Sequence, residues 1–291
     1  MWVYEINERS VIASDLHSLQ ELKRIEKDAE WLWIDSIEPS SKEFEIVSEL
    51  FCNDPKILDS IKEGKTFSRY KKHNDCTILS ISAAGLQNEL EFFPIYVAVK
   101  ERMLLSLRSK GSSKPIEYAI QTLRDRVSEG KETSPSFVVG EVLRETTNDN
   151  LEVVMTLREM IEKVEEEAIA EPSSKAISKK VFALKRQIAK LYRLLWSEEQ
   201  IMSSLKDGLI PNIELCQETV LGLEDSMSNV ARELEFLNSY DNALDGVLRL
   251  QDLGMIHKVE RTLIYLTIII LVMNVFLIVL EVGILDLLLG R

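Results

Sequence analysis

Two parts of this sequence place oxygen-bearing side chains where they could bind a cation. Asp241 and Asp245 lie four residues apart in a segment whose apolar residues recur at helical spacing, so both carboxylates share one helix face. A carboxylate pair at this spacing can bind a divalent cation directly or through water. The alternative is that the apolar pattern pauses there and both acids face solvent. Asp225, earlier in the same segment, is the third candidate metal ligand.

The second group lies in the strongly apolar C-terminal region and consists of Asn274, Glu281 and Asp286. Ionisable residues inside a membrane segment are costly, and they usually mark a functional site. An asparagine amide there holds membrane helices together. All three residues are therefore candidates for lining a pore. The alternative is that Glu281 and Asp286 lie at the outer interface, in contact with water and without function.

The region that carries these three residues is long enough to cross a membrane. Leu263 to Leu280 are 18 residues without a charge, which reaches the lower limit for spanning a hydrocarbon core. A buried core helix is rarely this apolar on every face. We therefore predict a transmembrane helix over residues 263–289.

The segment before the span, residues 136–262, is predicted to be a stalk of three long, coiled-coil-like helices. Apolar residues recur at steps of three and four in three successive runs, and such seams pack on each other or on copies of themselves. No proline occurs after Pro211, so the third helix is expected to continue into the membrane segment. Gly246 and Gly254 each cost about 1 kcal/mol of helix propensity, which weakens this continuity without breaking it.

Residues 1–135 have a mixed pattern that predicts an α/β domain. Short runs rich in branched and aromatic residues predict strands: WVYEI, WLWID, TFSRYKK, CTILSIS, LEFFPIYVAVK and RMLLSLRS. Serine or proline starts predict helices in SSKEFEIVSELF, in NDPKILDSI and from Lys114 onward. The fold class is therefore α+β, with a largely antiparallel sheet, a helical stalk and one C-terminal membrane helix.

Composition and motifs exclude several classes of function. The net charge of −13 argues against nucleic-acid binding, which requires a basic face. Cys52, Cys76 and Cys216 form no CxxC pair, and the three histidines have no zinc-site spacing. EGKT at residues 63–66 lacks the first glycine of a phosphate-binding loop, since that position is Asp59. No nucleophile elbow, HExxH or dinucleotide turn occurs, so no enzyme is predicted.

In this order of parts, the chain resembles the CorA family of divalent-cation channels. Four stretches carry the resemblance. WIDSIEPSSKEFEIVSELF at 33–51 is similar to the family's strand, proline turn and acidic helix, and DPKILDSI to the helix that follows. ALKRQIAKLYRLLWSEEQIMSSL at 183–205 resembles the stalk segment before the last long helix. LIYLTIII at 263–270 is similar to the start of the family's first membrane helix.

The chain departs from the family pattern in its C-terminal region. The family's Gly-Met-Asn signature would fall on Ile284, Leu285 and Asp286, and none of the three matches it. Asn274 follows Met273, but this pair lies twelve residues too early. The sequence carries no second apolar segment after the first. The resemblance is therefore to a divergent member without the signature or the second membrane helix.

The resemblance implies transport of a divalent cation, which is Mg²⁺, Co²⁺ or another divalent ion, by a membrane-bound homopentamer or other homo-oligomer. It also implies regulatory Mg²⁺ sites in the stalk, where Asp225, Asp241 and Asp245 are the candidates. With one membrane helix, we expect the chain alone to conduct weakly or not at all. The alternative is a membrane-anchored cation sensor or regulatory subunit that does not transport.

The expected location is the cell membrane, crossed once, with the N-terminal domain in the cytoplasm. Lys258 and Arg261 precede the apolar run, and only Arg291 follows it. This distribution gives a slight positive-inside bias. A large acidic domain made before the span is also expected to stay in the cytoplasm.

Overall fold

The computed structural model describes residues 1–16, 18–51, 68–73, 75–86, 89–172 and 174–288. The side chains of residues 19, 73 and 281–288 are not described. The chain forms two compact units, each discontinuous in sequence. The first unit comprises Met1–Glu159 and Arg186–Tyr240, and the second comprises Met160–Lys185 and Asp241–Arg291. The predicted division at residues 135 and 262 stays a prediction.

The first unit contains a seven-stranded sheet with the strand order β2-β1-β3-β7-β6-β5-β4. The strands are β1 Trp2–Asn7, β2 Ser10–Asp15, β3 Trp31–Ile37, β4 Arg69–His73, β5 Cys76–Leu86, β6 Leu90–Lys100 and β7 Met103–Arg108. All neighbours pair antiparallel except β3 and β7, which are parallel. The predicted α+β class with a largely antiparallel sheet is confirmed.

Among the described residues, three short helices accompany the sheet: α1 Leu19–Asp28, α2 Ser41–Leu50 and α3 Ser113–Ser128. Helix α2 begins with a capping box, in which the Ser40 side chain accepts from the Glu43 N–H and the Glu43 carboxylate accepts from the Ser40 N–H. Strand β2 and helix α1 were not predicted from the sequence. The predicted NDPKILDSI helix lies outside the described residues.

The core on one side of the sheet joins α1 and α2 to the strands. Buried side chains from these helices, such as Leu22 and Val47, belong to the same cluster as Val3, Ile34 and Leu105 on the strands. Strand β3 is buried at six of its seven positions, as expected for a central strand with both faces of the sheet covered. This burial explains why WLWI, at residues 31–34, is a continuous apolar run rather than an alternating one.

A buried ion pair lies between the parallel strands β3 and β7. The Arg108 guanidinium donates Nη2 to Asp35 Oδ2 at 2.9 Å and Nε to Asp35 Oδ1 at 3.1 Å. Ser106 Oγ donates to the same carboxylate at 2.5 Å and accepts from Trp33 Nε1 at 2.9 Å. Asp35 is 1% exposed and Arg108 3%, so each charge depends on the other for its compensation.

Three long helices follow: α4 Pro135–Ala170, α5 Lys175–Lys206 and α6 Gln217–Leu288. Helix α6 has 72 residues without a break, so the predicted continuation of the third stalk helix into the membrane segment is confirmed. In the first unit it buries Leu223, Val230 and Leu237, at the seven-residue spacing of a helix seam.

In the second unit, the end of α4 and the start of α5 form a helical hairpin that packs on α6. Both arms bury apolar residues at helical spacing, and α6 contributes Leu244 and Val247 to this core. The buried residues of the two arms are Ile161, Val164, Ala168, Ile177, Val181 and Leu184. From Leu253 to Leu280, the large apolar side chains of α6 are about half exposed.

We predict that Arg108→Leu destabilises the first unit by about 3–5 kcal/mol, because Asp35 is left buried without a cation. Arg108→Leu combined with Asp35→Asn should cost less, since no isolated charge remains. Urea unfolding followed by tryptophan fluorescence measures both changes. Arg124→Leu, at an exposed position of α3, is the control and should shift the midpoint little. Equal loss in the single and double variants would contradict the charge argument.

Candidate functional site

The apolar end of α6 is the one segment of the described chain that is long and apolar enough to cross a membrane. Its large side chains from Leu263 to Leu280 are 44–64% exposed, so they are not the core of a soluble fold. An α-helix satisfies all its backbone hydrogen bonds internally, as a lipid environment requires. The membrane-span prediction is therefore supported by both composition and exposure.

Two polar side chains lie on one stripe of this span. Thr267 and Asn274 are seven residues apart, which returns almost to the same helix face. Thr267 donates its hydroxyl to the Leu263 carbonyl at 2.8 Å, so its polar group is satisfied within the helix. Asn274 is exposed, and position 281 continues the same seven-residue register. Asn274 was a candidate from its sequence position, whereas its seven-residue spacing from Thr267 was not predicted.

The C-terminal candidates Glu281 and Asp286 lie within α6. Their side chains lie outside the described part of the chain. Both assignments stay predictions.

The predicted carboxylate pair in the stalk lies against a lysine of the same unit. Lys185 of α5 places Nζ 2.6 Å from Asp241 Oδ1 and 3.0 Å from Asp245 Oδ1. Partial burial of Lys185 acts to lower its pKa, but the hydrogen bonds to both aspartates and their charges outweigh this effect, and its pKa is raised. The ammonium is therefore held charged, and it neutralises one of the two carboxylates.

Asp225 lies exposed on α6 within the first unit. Among the described residues, no group of three or more histidine, cysteine, aspartate or glutamate side chains is arranged to hold a metal ion. The metal-ligand assignment of Asp225, Asp241 and Asp245 thus stays a prediction. The structure adds Lys185 to this group, a residue that no sequence pattern singles out.

The tip of the α4–α5 hairpin contacts α6 at two further positions. Gln251 accepts from Ser178 Oγ at 2.7 Å and donates to the Ser174 carbonyl at 2.8 Å. One turn later, a Cβ on Gly254 would lie 2.7 Å from Pro172 Cβ, so only glycine allows this approach. The glycine that the sequence pattern marks as a helix weakness is therefore a packing site.

A pair of buried acids in the first unit was not found from the sequence. Glu198 of α5 is 1% exposed and Glu233 of α6 is 2% exposed. Asn150 of α4 donates Nδ2 to both Glu198 oxygens at 3.0 Å and accepts from the Ala84 N–H of β5 at 2.7 Å. Both acids lie where apolar residues recur at steps of three and four along their helices. This spacing could have predicted their burial from the sequence.

Burial sets the protonation of these two acids. Loss of solvation raises the pKa of Glu198 well above its usual value; the Asn150 bonds oppose this shift and the charge of Glu233 adds to it. Burial also raises the pKa of Glu233 to about 7, with Arg232 opposing the shift. One oxygen of Glu233, Oε2, is buried without a hydrogen-bond partner. The pair is therefore tolerated in its protonated form.

Comparison with known proteins decides the family. The family described as CorA-like Mg²⁺ transporter protein matches residues 28–275, most of the chain. The chain belongs to the CorA family. The described function of this family is transport, which agrees with the expectation that the chain is not an enzyme. No curated protein is similar enough to be matched to it.

Solved structures share the fold at low sequence identity. The complete CorA magnesium transporter from Methanocaldococcus jannaschii is 16% identical, with a TM-score of 0.72, covering 91% of this chain and 80% of that one. Full-length CmaX is 17% identical, with a TM-score of 0.69 and coverages of 92% and 81%. The soluble domain of the M. jannaschii protein is 16% identical, with a TM-score of 0.66 and coverages of 86% and 96%. At these identities, the likeness shows the CorA-like fold.

We predict that Glu233→Gln stabilises the first unit at pH 8 and has little effect near pH 4.5. A raised carboxyl pKa means that the folded state binds the proton more tightly, so the stability of the native chain falls as pH rises from about 4.5 to about 7. The shift corresponds to at most about 3 kcal/mol. The neutral amide of glutamine removes this penalty.

Urea midpoints at pH 4.5 and pH 8, followed by tryptophan fluorescence, provide the measurement. Glu235→Gln, at an exposed position on the same helix, is the matched control and should not change the pH dependence. A Glu233→Gln variant that is no more stable than the native chain at pH 8 would contradict the assignment.

Proposed function

We propose that this chain transports divalent cations across the cell membrane as a homo-oligomer, with Mg²⁺ as the principal substrate. The observation that carries the proposal is the family match over residues 28–275, in a chain whose last described helix is also its membrane-span candidate. Co²⁺ is the second candidate substrate, through the resemblance to the family. The N-terminal domain, residues 1–135, is proposed to lie in the cytoplasm.

Polarity in the span favours association of several copies. A lone helix would expose the Asn274 amide to lipid, whereas a bundle of copies can turn the Thr267–Asn274 stripe toward a shared axis. Interhelical hydrogen bonds of this kind contribute about 0.6–2 kcal/mol each in a membrane. Five copies, the number that the resemblance implies, would form a ring of five amides.

The chemistry of a ring of amides suits a hydrated divalent cation. Mg²⁺ gives up its water reluctantly and prefers oxygen ligands, so a pore for it needs carbonyl, amide or carboxylate oxygens that bond to the hydration shell. Asn274 supplies an amide oxygen and Thr267 a hydroxyl. If Glu281 and Asp286 face the same axis, their carboxylates raise the local cation concentration.

Transport by such a bundle is proposed to be slow. Apart from Thr267 and Asn274, the face of α6 between residues 263 and 280 offers almost entirely apolar side chains. A narrow bundle that closes on leucine, isoleucine and valine excludes water, and this dewetting forms a barrier to ions. In the stalk, Asp241 and Asp245 remain candidates for a regulatory cation that replaces Lys185.

The first test is of assembly. Light scattering of the chain in detergent should give a protein mass severalfold above the 33.3 kDa of one copy. Asn274→Leu should shift the distribution toward smaller species, because the interhelical amide bonds are lost. Met273→Leu, which exchanges one apolar side chain for another at the neighbouring position, should not. A monodisperse monomer of the native chain at micromolar concentration would refute the proposed oligomer.

The second test is of transport. Liposomes that contain the purified chain and a magnesium-sensitive dye should show slow Mg²⁺ influx above that of empty liposomes. Asn274→Leu should reduce this influx at least severalfold, because the amide oxygens that bond to the hydration shell of the cation are lost. Met273→Leu should leave it unchanged, and Asp286→Ala tests a second of the three pore candidates.

Each other outcome has a distinct meaning. Rapid influx that is unaffected by Asn274→Leu would refute the assignment of this residue to the ion path. Influx no greater than in empty liposomes, from a chain that is oligomeric by light scattering, would refute transport by the chain alone. That result would favour the non-transporting sensor or regulatory subunit.

A further inference from the structure

A groove of about 430 Å³ lies in the second unit, beside the start of the membrane span. Its lining consists of Lys175, the first residue of α5, and of five residues on α6: Met255, Lys258, Val259, Thr262 and Leu263. Leu263 is the first residue of the uncharged run. The groove therefore borders the depth at which the polar headgroups of a bilayer would surround α6.

The groove combines positive charge with apolar walls. Its charged lining residues, Lys175 and Lys258, are both exposed, and neither forms an ion pair within the described part of the chain. The nearest acid along α6, Glu260, lies 3.1 Å from His257 and does not line the groove. Although the whole chain is acidic, this groove is locally basic.

A second source of positive potential is the helix that starts at the groove. Lys175 is the first residue of the 32-residue helix α5. The N-terminus of a helix carries a partial positive charge and unpaired backbone N–H groups, which favour an anion nearby. Two lysines and a helix N-terminus thus act on the same small volume.

We propose that this groove binds one anionic glycerophospholipid of the surrounding membrane. The phosphate contacts Lys175, Lys258 and the start of α5, and one acyl chain lies along Met255, Val259 and Leu263. A free phosphate ion would use the charges but not the apolar wall, and a neutral lipid would use the wall but not the charges. An anionic phospholipid matches both, and the membrane span places it at the groove.

The consequence is a lipid contact that links the hairpin tip to α6 at the membrane surface. Lys175 belongs to the hairpin, whereas Lys258 and the apolar wall belong to α6. A lipid bound to both adds a contact beyond those of Gln251 and Gly254 described above. This inference is independent of whether the chain transports a cation.

The test uses the full chain, stripped of lipid in a neutral detergent and titrated with phosphatidylglycerol or phosphatidylcholine of the same acyl composition. Native mass spectrometry counts the bound lipids and gives apparent dissociation constants. Phosphatidylglycerol should bind more tightly than phosphatidylcholine. Lys175→Gln with Lys258→Gln should weaken phosphatidylglycerol about 30-fold, from the attraction of two lysines near an anionic headgroup.

A matched control removes two other exposed lysines: Lys179→Gln with Lys190→Gln changes the net charge equally and leaves the groove intact. It should not alter the dissociation constant. Met255→Gln should weaken phosphatidylglycerol, because the acyl-chain wall becomes polar. All of these positions are exposed, so the variants should keep the melting temperature of the native chain.

Three results would overturn the proposal. The first is equal affinity for the two lipids. The second is an equal loss of affinity in the groove and control double variants, which would indicate attraction to the overall charge. The third is displacement of phosphatidylglycerol by millimolar inorganic phosphate, which would indicate an anion site that does not use the acyl chain.

Discussion

A membrane interior offers no partner for a backbone N–H or carbonyl, and this constraint determines the longest element of the chain. Residues 263–280 can cross lipid only as a helix that satisfies its own backbone. The structure continues that helix without a break from Gln217 to Leu288. Leu237 in the first unit, Leu244 in the second and Asn274 in the span therefore belong to one α-helix. The buried apolar seam, the stalk carboxylates and the polar stripe of the span all lie on this one helix.

Charges outside the membrane span are stabilised in two different ways. Asp35 and the Asp241–Asp245 pair each have a cationic partner, Arg108 and Lys185 respectively. Glu198 accepts hydrogen bonds from the Asn150 amide, and Glu233 Oε2 is buried without a hydrogen-bond partner. The pKa values of both acids are raised, so protonation takes the place of a cation. The difference follows from burial. Asp241 and Asp245 are nearly half exposed, so their ionised form costs little free energy. Two ionised carboxylates in a packed helix seam would be strongly unfavourable. The second arrangement makes the stability of the first unit depend on pH.

Much of the fold could be predicted because its strongest elements have clear periodicity. The buried strand β3, the long strands β5 and β6 and the helix α6 carry continuous or periodic apolar residues. Strand β2 was missed because it is an exposed edge strand in which no residue is buried. Helix α1 was missed because its only fully buried described residue is Leu22. Such elements depend on their neighbours more than on their own patterns.

The candidate site shows the same limit at the level of single residues. Asp241 and Asp245 could be named from their spacing alone, but Lys185 is 56 residues earlier than Asp241 and meets it only through the packing of α5 on α6. Gly254 lowers helix propensity, and this is all that the sequence indicates. The structure shows that Pro172 packs against it and leaves no room for a Cβ. Local sequence patterns predict which residues share a helix face, but they do not predict which residues of another helix contact that face.

Polar residues along the apolar end of α6 differ in which groups can form hydrogen bonds or ion pairs with them. Some can bind a lipid or a small ligand, whereas others require protein or water inside the membrane. Lys258 precedes the uncharged run, where water and lipid headgroups are both available, so a small ligand or a lipid is sufficient. Asn274 lies eleven residues inside the run, about 16 Å along a helix axis, where only another protein side chain or a water-filled path can meet its amide. A chain that keeps an asparagine at that depth therefore favours association through this face of α6. The lysines at the groove need no second copy to be satisfied.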